Sequence, residues 1–267
     1  MKESQAPKVS FTARSMAAAR ALESRREDAL FHDPLAEKLA GAEAIEKAAS
    51  IVEKNEKEGS PYPQVRTRFL DDVLLANASD IRQVVLLGAG LDTRAFRMGL
   101  SSDTHVYEID QQDIFDYKNP ILENDQPSCV RHTIVSDVSE GEWPELLLEN
   151  GFQKDKPSIW IAEGFLYYLF EKDVIALMKT LQTFAAVGSV FACDVINEVV
   201  CNGRDDWSKY WQWGCDEPEA FWGQYGWLAN AVQPGEEGAC FDRYTFPIPP
   251  REDKDKIHIF FVTAVKT

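Results

Sequence analysis

Four positions set the first chemical expectation: Gly88, Gly90, Asp110 and Glu163. Val84 to Thr93 reads V-V-L-L-G-A-G-L-D-T, an apolar run that ends in Gly-x-Gly and continues into Arg94 to Arg97. Glycines let the backbone turn sharply and let a ligand approach with no side chain in the way. The amides at the start of the following helix suit an anionic or polar ligand group. Asp110 ends the next apolar run, His105 to Asp110, about 20 residues after the glycines, as expected for a carboxylate that accepts hydrogen bonds from ribose hydroxyls. Asp137 follows a third run, Cys129 to Val135, where an adenine edge would lie. Glu163 follows the buried-looking Ser158 to Ala162, at the kind of strand end where α/β sheets hold ligands. A charge there is costly to bury, so a functional role stands beside a structural one. The order of glycine turn and acid points to a nucleoside-containing cofactor. A nicotinamide fingerprint needs a third glycine, and Thr93 occupies that position. S-Adenosylmethionine carries no phosphate and asks less of the turn.

The elements that must hold these groups are legible in the periodicity. Ala13 to Arg26, Ala42 to Glu58 and Val65 to Ala76 read as helices, the last with Val65, Phe69, Val73 and Ala76 on one face. Asp33 is placed to cap a short helix that opens at Pro34 and runs to Ala40. Beyond residue 80 the texture changes. Val84 to Leu87, His105 to Asp110, Cys129 to Val135, Ser158 to Ala162 and Ser189 to Val195 read as strands with helical stretches between them, the clearest being Lys172 to Ala186. Strands alternating with helices mean a parallel sheet covered on both faces. A last strand, Ile257 to Val265, has no helix after it, which suits the reversed final strand of methyltransferase sheets. The expected organisation is a helical extension or lid over residues 1–78 and a cofactor-binding α/β domain over 79–267, forming one structural unit, with 198–230 as an aromatic-rich segment on the substrate side.

Composition excludes several classes. With 28 Lys and Arg against 44 Asp and Glu, the formal net charge of the 267 residues is -16. Such a surface repels phosphate backbones and anionic lipid, so neither nucleic acid nor membrane is an expected partner. No apolar run approaches the ~20 residues needed to span a bilayer, and the polar N-terminus has no signal-peptide core; a cytoplasmic location is expected. The five cysteines are scattered with no C-x-x-C pair, and the four histidines show no metal-ligand spacing, so free thiols and no metal are expected.

V-V-L-L-G-A-G-L-D-T-R-A-F-R strongly resembles the glycine motif of the leucine carboxyl methyltransferase-like family, which includes tetracenomycin-type polyketide O-methyltransferases. Thr12 to Glu23, Asp33 to Gly41, Val65 to Asp72 (V-R-T-R-F-L-D-D), Val106 to Asp110 (V-Y-E-I-D) and Ile161 to Leu169 (I-A-E-G-F-L-Y-Y-L) resemble further family segments. Asp216 to Trp227 is similar to the helix before the sixth strand, and Ile257 to Lys266 to the closing strand. The resemblance implies a class I methyltransferase (Rossmann-like) sheet with an antiparallel last strand and an N-terminal helical addition, and S-adenosyl-L-methionine as cofactor. It also implies roles by position: Arg66 at the methionine carboxylate, Gly88 and Gly90 as the floor, Asp110 at the ribose, Asp137 and Val138 at the adenine, and Glu163 near the methionine amino group or the reacting centre. The family's basic residue in the first helix has Arg20 as its closest counterpart.

Methyl transfer from a sulfonium is an in-line displacement whose electrophile is already activated, so alignment and exclusion of water are the main tasks. A carboxylate acceptor is ionised near neutral pH and needs no base; for a hydroxyl acceptor, Glu163, Tyr167 and Tyr168 are the candidate bases. The expected activity is O-methylation of a carboxyl or hydroxyl group on a small molecule. A protein C-terminal carboxyl acceptor, an NAD-dependent oxidoreductase and a non-catalytic cofactor-binding module are the alternatives. Trp207 and Trp211, four apart, would share a helix face that closes over a small apolar or aromatic acceptor. Trp222 and Trp227 are expected in the core.

Overall fold

The computed structural model describes residues 11–201 and 210–267. Four helices come first: α1 (Phe11–Ser24), α2 (Ala36–Ala40), α3 (Ala42–Lys57) and α4 (Tyr62–Asn77). Alanines let α1, α2 and α3 approach closely, with Ala17, Ala18, Ala40, Ala44 and Ala48 packed around Leu35 and Leu39. α4 begins three residues earlier than the apolar pattern indicates, because Pro63 is tolerated in a first turn whose N–H groups have no helical partner. Its Leu70 and Leu74 pack under the sheet with Val84, Leu86 and Ile161.

The α/β part follows: β1 (Gln83–Leu87), α5 (Arg94–Arg97), β2 (His105–Asp110), α6 (Gln112–Ile121), β3 (Val130–Val135), α7 (Trp143–Glu149), β4 (Ile159–Ala162), α8 (Glu171–Phe184), β5 (Val190–Ile196), α9 (Pro218–Gly223), β6 (Trp227–Val232) and β7 (Ile259–Lys266). The strands form one seven-stranded sheet in the order β3-β2-β1-β4-β5-β7-β6. β1 to β5 run parallel, and β7 inserts antiparallel between β5 and β6, with Val190 opposite Val265 and Ile196 opposite Ile259. β1, β4 and β5 are buried throughout, as strands covered on both faces must be. One core, around Trp143, Trp160, Leu177 and Phe191, fills the face under α7 and α8. The other lies under α4 and α5. Among the described residues no helix is long and apolar enough to cross a membrane.

Three local expectations need correction. Asp33 does not open a helix at Pro34. Its Oδ1 accepts the Leu35 N–H at 3.1 Å, its Oδ2 is taken by Arg20 and Thr93, and α2 starts only at Ala36. The helix expected across Asp216 to Trp227 is the six-residue α9, because Gly226 (φ +76) turns the chain into β6. Trp211 is not on a helix; it lies in an irregular stretch tied down by Gln212 N–H donating to the Tyr167 carbonyl at 2.7 Å. Trp207 lies outside the described residues. Trp222 and Trp227 are core, and Trp213 joins them against Phe221 and Trp222.

Candidate functional site

The carboxyl ends of β1, β2, β4 and β5 converge beneath α1 and α4, at the edge where open α/β sheets hold ligands. At β1, Gly88 and Gly90 have φ of +63 and +48, a region costly for residues with a Cβ. They are not equivalent. A Cβ on Gly90 would meet nothing closer than 3.9 Å, so its backbone is open to close approach. A Cβ on Gly88 would sit 2.3 Å from the Phe165 ring. Gly88 is therefore glycine because an aromatic ring lies against its backbone as well as because of the turn.

Asp110 faces this turn from the end of β2. Its Oδ2 accepts the Gly90 N–H at 2.6 Å and its Oδ1 accepts the Gln111 N–H at 2.7 Å. Burial raises its pKa above the ordinary 3.8, and the two amides offset this only in part. At the end of β3, burial would raise the Asp137 carboxyl, but bonds from Ser139 hydroxyl and amide and the Gln111 side-chain amide hold it below its ordinary value. Val138 is 7% exposed and packs into the core beside Ile134 and Trp143. Gln111 thus bonds both acids, Asp110 through its backbone and Asp137 through its side chain.

Glu163, just past β4, is the centre of the electrostatics. Arg66 Nε donates to its Oε1 at 3.2 Å, Thr67 Oγ1 to the same oxygen at 3.0 Å, and Arg94 Nη2 to Oε2 at 2.7 Å. Burial opposes the charge, but Arg94 and Arg66, with Arg20 further off, outweigh it and hold Glu163 well below the usual carboxylate range. Arg66, 4% exposed, also reaches Asp194 Oδ2 at 3.1 Å and the Tyr167 hydroxyl at 3.4 Å. Asp194, inside β5, further accepts Tyr62 Oη at 2.5 Å and the Gly164 N–H at 2.6 Å. On the other side, Arg94 bonds Asp71 and Asp92, Arg97 bonds Asp71, and Asp33 lies between Arg97 and Arg20. Arg20 also donates to the Leu91 carbonyl at 2.6 Å, fixing α1 to the glycine turn.

This is one unbroken chain of ion pairs from α1 to β5, with four arginines and five carboxylates. Burying so many charges is tolerable only because each is paired and hydrogen-bonded. Thr93, at the third position of the glycine motif, is fully committed here: its hydroxyl donates to Asp33 at 2.7 Å. A glycine there would leave that acid short of a donor.

A narrow cleft, partly open to solvent, is lined by Arg20, Gln64, Arg66, Thr67 and Glu163 together with apolar Met16 and Phe31. The donor set fits the methionine end of S-adenosylmethionine: guanidinium groups for a carboxylate, Glu163 for an ammonium, and an unpaired buried acceptor, Gln64 Oε1, at the same wall.

The structure brings Arg66, Glu163 and Tyr167 into contact, and Asp110 onto the glycine turn. Trp211 is linked to this group through Tyr167, with ring centroids 5.3 Å apart, and Tyr168 packs on the other side of Tyr167 at 5.0 Å. Sequence reasoning missed Asp194, Asp71, Arg94, Arg97 and Tyr62. Asp194 did carry a signal, an acid inside the apolar run V-F-A-C-D-V-I. Among the described residues no cluster of three or more His, Cys, Asp or Glu side chains is placed to hold a metal ion.

Comparison with known proteins shows what the chain is similar to. A family model described as leucine carboxyl methyltransferase matches residues 13–182. A protein of Streptomyces avermitilis, named as a candidate S-adenosyl-L-methionine-dependent methyltransferase, is 35% identical over 259 residues, covering 91% of either chain. A similarly named protein of Frankia alni is 33% identical over 273 residues, covering 96% of this chain and 94% of its own. Among solved structures, a DUF574-family protein of Streptomyces avermitilis superposes with a TM-score of 0.62 at 14% identity, over 98% of this chain and 99% of its own. A candidate methyltransferase of Thermobifida fusca gives 0.56 at 16% identity, over 96% and 94%. At these identities the structural likeness is one of fold: a class I methyltransferase sheet with a reversed β7.

Proposed function

The chain belongs to the leucine carboxyl methyltransferase family, and from that premise we propose that it is an S-adenosyl-L-methionine-dependent O-methyltransferase acting on a carboxyl or hydroxyl group of a small molecule. The cofactor, when bound, supplies an electrophilic methyl on sulfur. Arg66 binds its carboxylate, Asp110 its ribose hydroxyls, Gly90 gives close backbone approach, and Asp137 and Val138 border the adenine. The chain's own work is then to hold donor and acceptor in line and keep water out.

The observation that carries the choice of acceptor is the state of Glu163. Clamped by Arg94 and Arg66, its carboxylate is far too weak a base to take a proton from a hydroxyl at neutral pH. Burial, with Asp194 nearby, pushes the Tyr167 hydroxyl well above its ordinary value, so it is not an anionic base either. A nucleophile that arrives already ionised suits such a site, which favours a carboxylate over an alcohol. The family's description favours a second reading, in which the carboxylate is a protein C-terminus.

Incubating the purified protein with methyl-labelled S-adenosylmethionine and a panel of small carboxylic acids, phenols and C-terminal peptides tests both. A carboxyl ester releases labelled methanol in mild alkali, whereas an aryl ether does not. Label only in phenol ethers overturns the carboxylate preference, label only in peptides overturns the small-molecule reading, and label in nitrogen overturns O-methylation.

A further inference from the structure

The cleft beneath α1 and α4 contains one polar group that nothing in the chain satisfies. Gln64 is 2% exposed, lines the cleft, and its Oε1 meets no donor. Buried acceptors without a partner are rare, and each calls for a cause. The charged and hydroxyl side chains of that wall are each engaged. Arg20 is held by Asp33 and the Leu91 carbonyl, Arg66 by Glu163 and Asp194, and the Thr67 hydroxyl by Glu163. The charges of the surrounding ion-pair chain leave one carboxylate in excess of the arginines.

An unpaired acceptor beside a surplus negative charge calls for a cationic hydrogen-bond donor. A carboxylate cannot serve, since it only accepts; an ammonium offers three N–H groups. Gln64 lies on the first turn of α4, two residues before Arg66, so the helix that presents a guanidinium for a carboxylate also presents an amide oxygen for an amine. The pair matches the two ends of a zwitterionic α-amino acid.

We infer that Gln64 Oε1 accepts a hydrogen bond from the α-ammonium group of the cofactor's methionine moiety, sharing it with Glu163, and so selects ligands that carry both an α-amino and an α-carboxyl group. This rests on the reading of the site as one for S-adenosylmethionine. Gln64 is a binding residue in this role and takes no part in methyl transfer.

Calorimetric titration with S-adenosylhomocysteine and with its analogue lacking the α-amino group tests it. Wild type is expected to bind S-adenosylhomocysteine more tightly. Gln64→Met keeps the volume and removes the acceptor; it is expected to weaken S-adenosylhomocysteine by roughly tenfold or more and leave the desamino analogue within about twofold. Gln64→Glu retains an acceptor and is expected to bind S-adenosylhomocysteine at least as well as wild type, and it carries the test if the Met variant does not fold. Equal weakening of both ligands by Gln64→Met, no weakening of either, or loss of S-adenosylhomocysteine binding in a folded Gln64→Glu overturns the inference while the cofactor reading stands. A wild-type protein that binds neither ligand overturns the cofactor reading and the inference together.

Discussion

The Gly90 N–H donates to Asp110 Oδ2 at 2.6 Å, so the glycine turn after β1 and the acid ending β2 form one unit. The acid orients the turn, and the turn leaves the carboxylate's remaining lone pairs for a ligand. Asp110→Ala should therefore cut affinity for S-adenosylhomocysteine at least tenfold, since two hydrogen bonds to a charged acceptor are worth ~1.5–3 kcal/mol each. The variant should stay folded by circular dichroism. Unchanged calorimetric affinity would remove Asp110 from the cofactor site.

Gly88 behaves differently from Gly90. The sequence suggests a cofactor floor at both, and from it a β-branched Gly88→Val is expected to harm binding more than folding. Phe165 against the Gly88 backbone reverses that expectation. Gly88→Ala should lower Tm by several degrees, combining a positive-φ penalty of ~1–2 kcal/mol with a clash against the ring. Gly88→Ala with Phe165→Ala should recover the clash but not the φ penalty, and thermal unfolding of the double and of both single variants separates the parts. A double variant no more stable than the sum of both single losses would show that the ring is not what excludes a Cβ.

Glu163 should make the protein acid-sensitive. Its folded pKa lies below the ordinary 4.5, so its ion pairs contribute fully above pH 4.5 and are lost as pH falls from there toward the folded value. Urea unfolding across pH 7 to 3.5 should show wild type losing stability below pH 4.5 more steeply than Glu163→Gln, by up to ~1.4 kcal/mol per pH unit. Parallel slopes in the two proteins would mean that Glu163 is not held ionised by Arg94 and Arg66.

How much of this was legible follows from what the sequence encodes locally. The glycine turn, Asp110, Glu163 and the reversed last strand came from apolar runs and from residues that interrupt them at strand ends. Arg94 with Asp71, and Arg97 with Asp33, could not, because their partners lie on elements that only the fold brings together. Arginines on a helix as short as α5 read equally well as solvated or buried. Trp211 and Trp213 are two residues apart in a stretch without periodicity, and nothing local says that the second fills the core while the first lies against Tyr167.

Trp211 is half-buried, and its ring meets Tyr167 edge-on. Trp211→Ala should raise the acceptor's KM several-fold and leave cofactor affinity within about twofold. Steady-state kinetics with calorimetry separates the two. Joint loss of cofactor affinity and Tm would make the ring a structural prop for Tyr167 and Arg66 rather than a wall of the acceptor site.

β7 lies between β5 and β6, and β6 meets the sheet nowhere else. Detaching β7 would therefore release β6, while β3, β2, β1 and β4 keep their ladders, their glycine turn and Asp110. The β6–β7 ladder and the parallel strands can then open as separate cooperative units. Amide protons of β6 and β7 should then exchange together and faster than those of β1 and β4.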